Sequence, residues 1–338
     1  MAPLKLRRLR SNAQIRGLFS QTQILAKNMI MPYFVIEGKN KREPIKTMPG
    51  VYRLSLDNLL QDIREIKNLG IRAILVFGIA QKKDAKATES YSKTGILQKA
   101  VKEIRRQIKD IVIITDVCLC GYTDHGHCGI VKKSNIKYQK PKTQTKIKNF
   151  YIDNDETLEI LAKIALSHAE RGADFVAPSA MMDGQVKAIR DALDNNGFQN
   201  TGILAYSAKY ASNFYGPFRE ALGCSPKLGD RKTYQMDYRN SDEALREIGE
   251  DIDEGADIVM VKPALSYLDI IYRAKQRFNV PVAAYNGCGE YSLVKLAAQK
   301  GLVSEKDAVL EILTSIKRAG ADLIITYHAK EAAGWLKN

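Results

Sequence analysis

Gly255-Ala-Asp-Ile-Val-Met-Val-Lys262-Pro263 is a glycine turn, an unbroken apolar run and a lysine at its end. A strand with one wet face would alternate polar and apolar residues. This one does not, so it reads as a parallel strand covered on both faces. Its opening tripeptide, Gly-Ala-Asp, recurs at Gly172 and Gly320, each time just before another apolar run. Helix, glycine, strand is the rhythm of a βα unit. Working outward, runs of the same kind occupy 29 to 36, 73 to 79, 111 to 117, 174 to 178, 202 to 206, 257 to 261, 281 to 285 and 322 to 327. Helical patterns lie between them. The clearest runs from about Asp155, a suitable N-cap, to Arg171, with Leu158, Leu161, Ala165 and Leu166 as its apolar stripe. About eight such units in roughly 300 residues predict a (β/α)8 TIM barrel, with a doubly wound sheet as the alternative.

Composition narrows the function classes. No apolar run is long enough to span a bilayer, and no secretory core follows Met1. Five cysteines, an odd number, suit a reducing compartment, and we expect a cytoplasmic protein. The net charge of +14 raises the question of an anionic partner. Much of the excess sits at 131 to 149, which holds seven lysines and no acid, and aromatic residues are too sparse there for stacking on bases. A solvated, poorly ordered basic loop is expected, and nucleic acid is not. The Arg-rich residues 1 to 28 read as a surface-packing arm rather than a transit peptide, and the catalytic domain as 29 to 338.

In a barrel the chemistry gathers at the C-terminal ends of the strands. Reading those positions off gives Asp116, Cys118, Ser179, Lys209, Lys262, Tyr285 and Tyr327. Lys262 would point into the mouth, where desolvation favours the neutral amine, a nucleophile for carbonyls. Lys209 ends the preceding run, and a second ammonium would lower that basicity further. The long connection at 210 to 240 reads as an active-site lid whose arginines, Arg219 and Arg231, could clamp a carboxylate.

The stretch DVCLCGYTDHGHCG at 116 to 129 concentrates three cysteines and two histidines. On an extended backbone Cys118 and Cys120 would leave the same face, and Cys128 could return through the glycine turn. Zinc with an open coordination position is the favoured occupant, with His125 or His127 as optional fourth ligands. A redox disulfide is the alternative. His168 is expected on a helix surface, His328 has no assigned role, and Trp335 should pack a terminal helix.

With APSAMMDGQV at 177 to 186, YSAKYASNFYGPFRE at 206 to 220, GDRKTYQM at 229 to 236, MVKPA at 260 to 264 and TYHA at 326 to 329, the chain resembles the porphobilinogen synthase (5-aminolevulinate dehydratase) family over nearly its whole length. The resemblance implies condensation of two 5-aminolevulinate molecules to the pyrrole porphobilinogen, with loss of two waters, in tetrapyrrole (heme) synthesis. It implies a Schiff base on Lys262 and a second role for Lys209. Zinc would sit on Cys118, Cys120 and Cys128, with Asp116 and Ser179 serving proton transfer and orientation. Arg219, Arg231 and Gln235 would hold the second carboxylate, while Tyr285, Tyr327 and the Cys288 position would hold the first. It also implies a homo-octamer embraced by the arms and an allosteric magnesium at Glu247. Two departures stand out: Asn286-Gly287-Cys288 has cysteine where the family pattern has serine, and the basic segment replaces a short acidic connection. A generic lysine-dependent aldolase and a non-catalytic relative are the competing readings.

Overall fold

The computed structural model describes residues 4–134 and 150–337. Eight parallel strands close on themselves: β1 (Met29–Ile36), β2 (Ala73–Gly78), β3 (Val112–Val117), β4 (Phe175–Pro178), β5 (Gly202–Lys209), β6 (Ile258–Lys262), β7 (Val282–Asn286) and β8 (Leu323–Thr326). Each pairs with the next, and β8 returns to β1 through Met29↔Ile324 and Ile30↔Ile325. The predicted barrel is therefore the fold. Two short strands at Arg42–Pro44 and Tyr52–Ser55 extend the β1 edge.

The Gly-Ala-Asp repeat has a structural reason. Gly172, Gly255 and Gly320 follow helices with φ of +96°, +106° and +120°, which a side chain would resist. Each following aspartate then accepts an N–H at the start of the neighbouring strand: Asp174 from Ile113 (2.7 Å), Asp257 from Ile203 (2.7 Å) and Asp322 from Val282 (2.9 Å). The repeat staples the bottom of the barrel. Asp322 also pairs with Lys275 at 2.8 Å. Asp322→Ala should cost about 1–2 kcal/mol in denaturant unfolding and leave the Michaelis constant unchanged; an unaltered midpoint would refute the staple.

Several local expectations need correction. The helix Asn154–Ala169 is capped by Asp153, whose carboxylate accepts from Glu156 N at 3.0 Å, not by Asp155. His168 faces inward and is fully buried, because it falls on the helix side packed against the barrel. Residues Ile130–Lys133 are a strand paired antiparallel with Phe150–Asp153, so the basic segment does not begin as a loop. Its remainder, 135–149, lies outside the described residues.

In the arm, none of residues 4–28 is buried, and Leu4, Leu6, Leu18 and Phe19 are largely exposed. No described helix is long and apolar enough to cross a membrane.

Candidate active site

The ends of β5 and β6 bring two amines together. Lys209 and Lys262 are direct register partners across adjoining strands, and both are buried. Lys262 Nζ lies 4.0 Å from the Tyr285 ring centre, 4.7 Å from Phe218, 5.0 Å from Tyr206 and 5.4 Å from Tyr215. Burial in this cage, and then the Lys209 charge, pull its pKa down to about 8. A sizeable neutral fraction therefore exists near neutral pH.

Lys209 Nζ donates to the Ser179 carbonyl. Asp116 stands opposite at the end of β3. Burial lifts it to about 6 against the opposing pull of Lys209, a hydrogen bond from Ser179 and Lys262. Its Oδ1 has no partner among the described residues. A carboxyl poised there, beside two amines, is suited to moving protons.

A slip in the ladder explains a residue that the sequence reading missed. The β5–β6 register shifts between Val259 and Val261. Tyr206 thus faces the interior with Lys209, while Ser207 turns outward to hydrogen-bond Asp251. The Tyr206 hydroxyl is buried without a partner among the described residues, 5.4 Å separating its ring from Lys209 Nζ.

The three predicted thiols converge. Their sulfurs lie within 4.8 Å of one another, and Cys118 Sγ is 3.4 Å from Cys120 Sγ. Tetrahedral zinc with Zn–S bonds of about 2.3 Å would set sulfurs about 3.8 Å apart, so the donor set fits a thiophilic ion. They meet through a turn rather than an extended strand: β3 ends at Val117, and Leu119 carbonyl accepts from Tyr122 N and Thr123 N. His127 is not aimed at the sulfurs. Its Nε2 meets Leu228 O at 2.6 Å and its Nδ1 meets the Tyr234 hydroxyl at 3.0 Å.

A fourth buried thiol, Cys224, joins the cluster unannounced. A hydrogen bond with Cys120 and the Arg231 charge lower it to about 6 despite burial. It comes from the 210 to 240 connection, 96 residues beyond Cys128, where no spacing could signal it.

Arg231 is accordingly turned towards this loop, donating to Gly126 O and Cys224 O at 2.8 Å each. Gln235 is buried, and neither its amide atoms nor Arg219 Nε has a partner among the described residues. Tyr285 and Tyr327 share a hydroxyl contact of 3.1 Å, and Cys288 Sγ reaches Phe214 O at 3.4 Å. Glu247 lines a cleft of roughly 740 Å³ that it shares with Gln235 and that neither Lys209 nor Lys262 lines. Burial, with Asp183 and Glu243 nearby, raises its pKa. The 210 to 240 segment is pinned: Arg53 bonds Glu220 O and Ala221 O at 2.7 Å each, and Lys83 bonds Leu222 O at 2.8 Å.

Residues 4–335 match the family model described as delta-aminolevulinic acid dehydratase. The chain belongs to the delta-aminolevulinic acid dehydratase family. The dehydratase of Methanothermus sociabilis is 55% identical over 327 residues, covering 97% of each chain. That of Bacillus subtilis is 51% identical over 330 residues, covering 98% of this chain and 97% of the relative. The crystal structure of the Toxoplasma gondii dehydratase (porphobilinogen synthase), in complex with its reaction product porphobilinogen, superposes with a TM-score of 0.91 at 43% identity, covering 98% of this chain and 91% of that one. The high structural similarity agrees with the closed barrel described above.

Proposed function

We propose that this chain catalyses the asymmetric condensation of two 5-aminolevulinate molecules to porphobilinogen, with release of two waters, as a step of tetrapyrrole (heme) synthesis. The observation that carries it is the buried pair Lys209 and Lys262, side by side at the ends of β5 and β6 with Asp116 facing them. Lys262 attacks the ketone of the first substrate and loses water to an imine. Tyr285, Tyr327 and Cys288 flank that amine and are suited to the first carboxylate. Lys209, held by the Ser179 carbonyl, serves the second substrate as imine or general base, and Asp116 relays protons between them. Arg219 and Gln235, with free buried donors, hold the second carboxylate; Arg231 supports the zinc loop as well as adding positive charge.

Zinc on Cys118, Cys120 and Cys128 would supply Lewis acidity towards the second substrate's oxygen. Glu247, surrounded by carboxylates, is suited to a hydrated magnesium ion. The exposed apolar arm, 4–28, supports a homo-oligomer in which each arm covers a neighbouring barrel, an octamer by family resemblance. Segment 210 to 240 is read as the lid, and the odd number of cysteines favours a cytoplasmic location. Incubating purified protein with 5-aminolevulinate and assaying pyrrole formation tests the activity; absence of pyrrole from metal-loaded protein would overturn it.

Cys288 bears on substrate affinity. Burial pushes its thiol up to about 11, so it stays a neutral, weak donor. A hydroxyl would bond a carboxylate better, and such a contact is held equally in ground and transition states. Cys288→Ser should therefore lower the Michaelis constant about 10-fold with turnover within about threefold. An unchanged or raised constant in steady-state kinetics would remove Cys288 from the pocket.

A further inference from the structure

Glu290 is a buried carboxylate to which the chemistry above gives no task. It sits on the third residue of the helix Cys288–Gln299, just beyond β7. Only 2% of its surface is exposed. One oxygen, Oε2, accepts from Gly287 N at the start of its own helix. The other, Oε1, accepts at 2.5 Å from Leu265 N, three residues past Lys262 on the neighbouring strand's connection. The Ala264 N–H adds a third backbone bond. Burial pushes the carboxyl up to about 7, and those N–H donors oppose that rise.

The two segments it joins carry different parts of the first-substrate pocket. Lys262, Pro263, Ala264 and Leu265 follow one another at the end of β6, where the amine sits. Asn286, Gly287 and Cys288 end β7, where the carboxylate partners sit. Each loop is also tied to a third element: Asn286 accepts from the Thr326 hydroxyl on β8 at 2.9 Å, and the Lys262 carbonyl accepts from Tyr210 N at 3.0 Å and from the Tyr215 hydroxyl at 3.1 Å. A carboxylate bridging two turns of backbone fixes their spacing, because each oxygen is committed to a different loop.

We propose that Glu290 is a positioning residue that sets the distance between the Lys262 amine and the carboxylate pocket formed around Cys288, and so matches the site to a keto acid rather than to a ketone. This rests on the Schiff-base reading of Lys262. An amide at this position keeps the shape but presents one donor where two acceptors are needed, leaving an N–H of either Gly287 or Leu265 facing another donor.

The test compares reductive trapping by borohydride of two ketones on Lys262: 4-oxopentanoate, which has the carboxylate, and butanone, which lacks it. Wild-type protein should trap the keto acid much faster than butanone. Glu290→Gln should lose about 10-fold in keto-acid trapping with butanone within about twofold, and in turnover its Michaelis constant should rise about 10-fold while kcat falls less than about threefold. Glu290→Ala should behave alike, since it removes both acceptors.

A full keto-acid advantage retained in Glu290→Gln overturns the proposal. Equal loss of both ketones makes Glu290 a folding residue and overturns it too. If wild-type protein traps neither ketone, the Schiff-base reading fails and the positioning role falls with it, so the wild-type reaction tells the two failures apart.

Discussion

Borohydride added with 5-aminolevulinate is expected to inactivate the enzyme irreversibly and to leave the adduct on the peptide containing Lys262. The imine forms from a neutral amine, and Lys262 is the buried amine held at about 8 within an aromatic cage. The sign of the pH dependence follows. Below about 8 the ammonium form dominates and attack slows about tenfold per unit; above it the trapping rate should level off. Lys262→Ala removes the nucleophile without unpairing a carboxylate, and turnover should fall by at least about 10³-fold. Mass mapping that finds the adduct elsewhere, or none on either lysine peptide, would refute the assignment.

Removal of a thiol-bound metal should have a comparable effect. Cys118, Cys120 and Cys128 are buried and mutually crowded, and Cys118 is pushed up by its hydrogen bonds with Cys120 and Cys128. Three thiolates packed this closely repel one another unless a cation lies among them, so ion binding should release protons and stabilise the loop. Dialysis against a chelator should abolish pyrrole formation, and added zinc should restore it within a fewfold of the starting rate. Full turnover by protein shown to be metal-free by elemental analysis would dismiss the metal's role. Because His127 is occupied by Leu228 O and Tyr234, His127→Ala should weaken the loop rather than mimic a cysteine variant.

Lys262, Lys209, Asp116 and the thiol trio were legible in the chain because each sits at the end of an apolar run or inside a dense local cluster. The eight runs and the Gly-Ala-Asp repeat determined the barrel, since parallel strands buried on both faces impose unbroken apolar stretches and the turns impose glycine. The partners that arrive from distant segments were not legible. Cys224 reaches the thiols across 96 residues, Glu290 bridges two loops, and Tyr206 faces inward through a ladder slip that strict alternation hides. His168 was misread although its place was legible: it lies seven residues after Leu161 and three after Ala165, on the apolar face that packs against the barrel. Local sequence determines which residues can form a strand, turn or helix, because those choices depend on neighbours a few positions away. Which side chains then share a pocket depends on strand register and on where the long connections pack, and those are decided only when the whole barrel closes.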